Sequence, residues 1–105
     1  MVVYVMSSES KRRDRHDIVA EILETAKEGA IKTHIMYKAK LSYGQLSEYI
    51  PTLVEKGFLE NLTVERHRKA QHLLKTTELG AKFLENIRLL NSLWFAVFDS
   101  ENKVM

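Results

Sequence analysis

The stretch that decides the fold runs from Leu62 to Leu84 and reads LTVERHRKAQHLLKTTELGAKFL. Two β-prone runs flank a basic turn that holds Arg66, His67, Arg68 and Lys69. The apolar positions Leu62, Val64, Leu73 and Leu74 place the strands at approximately 59–64 and 71–76. Their alternation is imperfect, so the register stays open at this level. Thr77-Glu78-Leu79-Gly80 follows at once, and Thr77 is suited to cap a helix. That helix is predicted over 78–98. Phe83, Ile87, Leu90, Trp94 and Val97 succeed one another at steps of four, three, four and three, a coiled-coil type of seam. Leu84, Leu93, Phe95 and Phe98 widen it beyond what one small domain would easily bury.

Upstream, Ile18, Ile22, Leu23 and Ala26 fall at helical spacing, with Val19 alongside, and predict a first helix over 14–27 that Gly29 stops. Ala30 to Lys32 suits a short strand. Thr33 is then expected to cap a brief helix over 34–39, with Ile35, Met36 and Ala39 as its apolar residues. Lys40-Leu41 makes a tight turn, and Ser42 caps a third helix over 42–56 whose core stripe is Leu46, Tyr49, Ile50, Leu53 and Val54. Gln45, at the third helical position, completes a capping box with Ser42. Pro51 lacks an N–H and crowds the carbonyl of Ser47, which predicts a kink between an outward front half and a core-facing back half. Gly57 ends this helix.

The chain of 105 residues fits one domain of ordinary globular composition, with 45% hydrophobic and 29% charged residues. A chain this short buries only roughly 65% of its unfolded surface, so a partner subunit would help it. The net charge of +2 says little; its distribution says more. Lys11, Arg12, Arg13 and Arg15 precede the first helix, while Lys32, Lys38 and Lys40 lie in a stretch, 29–47, that has no acid. Asp17, Glu21, Glu24 and Glu28 gather instead along the first helix. Such segregation suits a protein that turns one positive face to a phosphate backbone. With no cysteine, disulfides and thiolate metal sites are excluded. The apolar run 93–98 is too short to span a bilayer. The opening MVVYVM is too short for a signal-peptide core and reads as an extra strand or a tail.

Helix, helix, basic hairpin, helix is the layout of a winged helix-turn-helix, an α+β fold that is mostly α. The strings Gly29-Ala-Ile-Lys-Thr-His-Ile-Met-Tyr-Lys-Ala39, Leu41-Ser-Tyr43, Tyr49, Leu53 and Glu55-Lys-Gly57-Phe-Leu59 carry a family resemblance, and Thr77-Glu-Leu-Gly80-Ala-Lys-Phe-Leu84 completes it. Over about residues 14–95 the chain resembles small archaeal winged-helix DNA-binding proteins, the crenarchaeal "10a" chromatin proteins and their transcription-regulator relatives among them. The resemblance implies a homodimer joined by the last helices and binding to double-stranded DNA. It divides the chain into a tail (1–13), a winged-helix DNA-binding domain (14–80), a C-terminal dimerisation helix (81–98) and a second tail (99–105). A nucleoid-associated, cytoplasmic location goes with it.

Ser42, Tyr43, Gln45 and Glu48, off the apolar stripe of the third helix, are the candidate groove readers; Gln can bond adenine in a bidentate way. Tyr43 alternatively packs on the turn, with the others merely solvated. Arg66, His67, Arg68 and Lys69 are candidate phosphate contacts from the hairpin, or alternatively a tip charged for solubility. Lys32, Thr33, His34, Lys38 and Lys40 are candidates from the second helix. Lys11, Arg12, Arg13 and Arg15 form either an arm on the backbone or a loose tail. The candidate dimer interface is Ile87, Leu90, Trp94, Val97 and Phe98. His16, His34, His67 and His72 are scattered without ligand spacing, so no metal, cofactor or catalytic activity is expected. The reading is therefore a homodimeric regulator or small chromatin protein on double-stranded DNA, with no membrane partner. Its rival is a protein-interaction module on the same scaffold that does not touch DNA.

Overall fold

The computed structural model describes residues 14–104, with side chains for 14–97. Its elements, in chain order, are α1 (Arg15–Thr25), α2 (Lys32–Lys38), α3 (Tyr43–Glu55), β1 (Leu59–Arg66), β2 (Lys69–Thr76) and α4 (Glu78–Val104). The strands form one antiparallel hairpin, and Ala30 adds a single bridge to Leu74. This is a mostly helical winged helix.

Helix ends follow their local chemistry. Asp14 caps α1, its carboxylate accepting the His16 N–H. The Ser42 hydroxyl accepts the Gln45 N–H at 3.1 Å while Gln45 Oε1 accepts the Ser42 N–H at 3.0 Å, so the capping box of α3 is complete. At the other end Gly57 takes φ +83°, and the N–H groups of Gly57 and Phe58 bond back to Val54 and Leu53. That pairing is a Schellman closure. Thr77 caps α4 by accepting the Gly80 N–H at 3.0 Å and donates its own hydroxyl proton to the Gly57 carbonyl.

Several expectations are corrected. α2 begins one residue earlier than its predicted cap: Ile31 is the N-cap, without a side-chain bond, and Thr33 is already helical. The short strand 30–32 shrinks to Ala30, because Ile31 and Lys32 turn straight into α2. The helix expected over 42–56 is not among the corrections: α3 runs from Tyr43 to Glu55 with Pro51 inside it. The hairpin is longer than expected and its turn is only His67-Arg68, both at left-handed φ (51° and 65°). Arg66 and Lys69 are thus strand residues paired with each other. α4 continues past the predicted end at 98, through the expected tail, to Val104.

The core gathers Ile18, Ile22 and Leu23 of α1, Ile35 of α2, Leu46, Ile50 and Leu53 of α3, and Leu59 and Leu74 of the hairpin. Leu84 brings α4 onto it, and Phe58 stacks on Phe83 at 4.6 Å between ring centres. Gly80 is required at this junction. A Cβ there would lie 2.2 Å from the Phe58 carbonyl oxygen and 2.9 Å from Thr76 Cγ2. Thr76, buried, donates its hydroxyl proton to the Leu23 carbonyl at 2.7 Å and so ties the hairpin base to α1.

Ile87 is 5% exposed and packs on its own domain, which corrects its assignment to a dimer seam. Beyond it the helix leaves the domain. From Ile87 to Val104 it covers roughly 26 Å at about 1.5 Å per residue. The radius of gyration, 16.7 Å, exceeds the ~13 Å of a compact chain of this length for that reason.

Candidate nucleic-acid interface

The register sorts the hairpin residues by face. Leu59, Asn61, Thr63 and Glu65 share one face with Thr76, Leu74, His72 and Ala70; Glu60, Leu62, Val64 and Arg66 share the other with Lys75, Leu73, Gln71 and Lys69. Leu74 is therefore a core residue, whereas Leu62, Val64 and Leu73 are only half-buried on the opposite face. The two-face split explains why the alternation in the sequence looked imperfect.

At the tip, Arg66 stands directly opposite Lys69. Like charges in that position destabilise a hairpin. The turn between them is of the type that favours Asn-Gly, yet it is built from His67 and Arg68. All four residues are exposed, and among the described residues no carboxylate pairs with any of them. Local stability is spent at this tip on a cluster of unneutralised positive charge.

α3 itself carries no lysine or arginine. Its surroundings supply them unequally. On one flank Tyr43, Ser47 and Pro51 share a shallow cleft with Lys32, and Lys32 also lines a second cleft with Asn61 and His72. On the other flank Glu48 and Thr52 share a cavity of about 270 Å³ with Arg15 and Val19 of α1. Arg15 is thus the first residue of α1 and not part of an arm. Lys11, Arg12 and Arg13 lie outside the described residues.

Tyr43 is 74% exposed, which excludes its packing into the turn. Ser42 and Gln45 are exposed too, but Gln45 Oε1 is held by the capping box. One lone pair of Oε1 is therefore engaged, and the second lone pair and the NH₂ group are what the carboxamide has left to offer. Lys32, Thr33 and His34 are exposed at the start of α2. Lys38 and Lys40 are not beside Lys32: they line a cleft with Asp17, Glu21, Arg88 and Asn91, between α1 and α4. Of the second helix's cations only Lys32 therefore joins the clefts beside α3 and the hairpin. Sequence reasoning passed over Ser47 and Asn61, whose neutral polar side chains carry no pattern of their own, and named His72 only among the scattered histidines.

Among the described residues no cluster of three or more metal-type ligands occurs, and no helix is long and apolar enough to cross a membrane.

This arrangement of three helices, a charged two-stranded hairpin and a last helix is matched by a family model for the winged helix-turn-helix over residues 12–94. The chain belongs to the winged helix-turn-helix family. An uncharacterised protein of the archaeon Methanocaldococcus jannaschii is 35% identical over 77 residues, 72% of this chain and 71% of that protein. Among solved structures, Sso10a-2, a DNA-binding protein from Sulfolobus solfataricus, superposes with a TM-score of 0.72 at 21% identity, over 88% of this chain and 93% of its own. A PadR family transcriptional regulator from Eggerthella lenta follows at 0.61 and 18%, over 98% and 91%. The PcaV transcriptional regulator of Streptomyces coelicolor matches at 0.58 and 18%, over 89% and 74%. This winged helix is thus similar in fold to DNA-binding proteins and transcriptional regulators, and the archaeal resemblance read from the sequence stands.

Proposed function

We propose that this winged-helix protein binds double-stranded DNA as a homodimer, as a transcription regulator or small chromatin protein of the nucleoid, and is not an enzyme. The observation that carries the reading is the hairpin tip, where Arg66, Arg68 and Lys69 stand exposed on an unfavourable turn and an unfavourable like-charged pair. Phosphates would neutralise these cations and release counterions, the source of salt-dependent affinity. Ser42, Tyr43, Gln45 and Glu48 of α3 would face the groove, with Lys32, Thr33 and His34 beside them. Lys38 and Lys40 take a lesser part in this reading, because their cleft is shared with Asp17 and Glu21. Titration of random-sequence duplex at two salt concentrations tests it. Changing Arg66, Arg68 and Lys69 together to alanine lowers the slope of log affinity against log salt by about 0.9 for each phosphate that is no longer neutralised. An unchanged slope rejects the role of the wing.

The homodimer rests on the far part of α4. Leu90, Trp94 and Val97 are 57%, 62% and 54% exposed, and Leu89 and Leu93 stand beside them. At about 100° per residue these five fall within roughly 140° of the helix circumference. Phe98, whose side chain lies outside the described ones, extends the seam in sequence. A stripe of this size favours a partner surface, and a second copy supplies the same stripe. Light scattering of wild type and Trp94→Asp decides: the wild type is expected as a dimer and the variant as a monomer. The same stripe is what favours the second reading, a protein-interaction module, which gains if the wild type is monomeric and does not bind duplex.

A further inference from the structure

We propose that Gly44 and Glu48 of α3 make this protein a sequence-selective binder: Gly44 lets the first turn of α3 sink into the major groove, and the Glu48 carboxylate accepts a hydrogen bond there from the exocyclic amine of a cytosine. The inference rests on the DNA-binding reading above and deepens it. It favours a regulator that selects its site over a chromatin protein that coats any duplex. It concerns base contacts and not the phosphate contacts of the wing.

The charged residues of α3 are Glu48 and Glu55, both acids. Its buried stripe is Leu46, Ile50 and Leu53. At about 100° per residue, Gly44, Glu48 and Glu55 fall within roughly 30° of the direction opposite that stripe. All three are exposed. The centre of the outward face is thus a bare glycine followed one turn later by a carboxylate. The cations stand to either side of this line, in Arg15, Lys32 and the hairpin tip. The Glu48 carboxylate has no hydrogen bond or ion pair among the described residues, although Arg15 lines the same cavity. Gly44, for its part, has no folding reason of its own. The glycines at positive φ are Gly29 and Gly57, so Gly44 does not use the freedom of a glycine. A Cβ on Gly44 would meet nothing nearer than the Ser42 Oγ at 3.9 Å, an ordinary contact. Glycine in a helix costs stability relative to alanine. What the bare backbone provides is close approach to an outside surface.

A carboxylate in the groove can only accept. Guanine presents N7 and O6 there and thymine presents O4, and these acceptors repel it. The adenine N6 amine donates but stands beside the N7 acceptor. The cytosine N4 amine donates with no acceptor beside it on its own base edge. Away from a cytosine the carboxylate gives up water without gaining a donor, and it repels the phosphates that flank the groove. Glu48 therefore lowers affinity for most sequences and is relieved of that penalty at one. A charge placed in this way confers selectivity more than affinity.

The experiment selects binding sites for the full chain from duplexes with a randomised core, at one fixed salt concentration, with wild type and Glu48→Gln side by side. Wild type is expected to enrich a motif with a C·G pair at one fixed position. Exchanging that pair should weaken binding about five- to tenfold, the lower end of what one base contact contributes. Glutamine bonds adenine through both its acceptor and its donor, so Glu48→Gln should change that position to A·T and keep the rest of the motif. Anisotropy titration gives a second readout. Glu48→Ala should bind random-sequence duplex severalfold more tightly than wild type, because the repulsion is gone. Gly44→Ala should unfold at a temperature no lower than wild type and yet bind the selected duplex severalfold more weakly. A Glu48→Gln protein that enriches the wild-type motif overturns the role of Glu48, and a Gly44→Ala protein with wild-type affinity overturns the close approach. A wild type that binds duplex without enriching any motif overturns the inference and leaves the DNA-binding reading intact. A wild type that binds no duplex overturns both.

Discussion

The two ends of the hairpin are made from the same two strands and obey opposite rules. At the base, Leu59, Leu74 and Thr76 are buried, and Gly80 of α4 presses against the Phe58 carbonyl. At the tip, Arg66 faces Lys69 across a left-handed turn, and all four residues 66–69 are exposed among the described residues. The base is optimised for stability and intolerant of a single methyl group. The tip gives stability away and keeps charge. A surface selected only for folding would not carry a like-charged pair and two strained residues within four positions. The contrast fits the proposal that the base serves architecture and the tip recognition.

Adding one carbon at the base breaks the contrast most severely. Gly80→Ala places a Cβ against backbone that cannot move aside, and a loss of about 3 kcal/mol or more is expected, read as a large fall in thermal midpoint or failure to fold. Thr76→Val keeps the shape but removes the buried hydrogen bond to the Leu23 carbonyl, which leaves that acceptor unpaired. A loss of about 1–3 kcal/mol in denaturant unfolding follows. At the tip the sign reverses. His67→Asn with Arg68→Gly supplies residues suited to the turn and is expected to stabilise the fold by about 1 kcal/mol. The same change is expected to weaken duplex binding, because it removes the Arg68 guanidinium. A double variant that lost stability would mean the tip is braced in a way its exposure does not show. The smallest expected effect on stability belongs to alanine at Arg66, Arg68 and Lys69 together. Unfolding should shift by less than about 0.5 kcal/mol, although the salt slope of DNA binding falls.

The far part of α4 repeats the lesson in another form. Up to Ile87 the helix is fixed to its own domain, and the Arg88 guanidinium meets Glu24 of α1 just beyond. That pair is exposed on both sides and worth little, so apolar packing of Leu84 and Ile87 fixes the helix angle. Past this point Leu89, Leu90, Leu93, Trp94 and Val97 keep an apolar stripe on the helix while the domain has ended.

What the sequence determined by itself was everything governed by neighbours a few residues apart. The Ser42–Gln45 capping box, the Thr77 cap, the Gly57 stop and the order of helices and hairpin follow from local hydrogen bonding and apolar spacing. The two-residue turn escaped it because His67-Arg68 carries none of the glycine or asparagine that marks such turns, and the run of charge suggested a longer loop. Only the tertiary structure decided that Ile87 is a core residue, that Lys38 and Lys40 side with Asp17 and Glu21, and that Lys32 lines one cleft with Asn61 and His72. Those facts depend on how rigid elements dock against one another. The docking is set by the summed packing of a whole core, which no short window of residues contains.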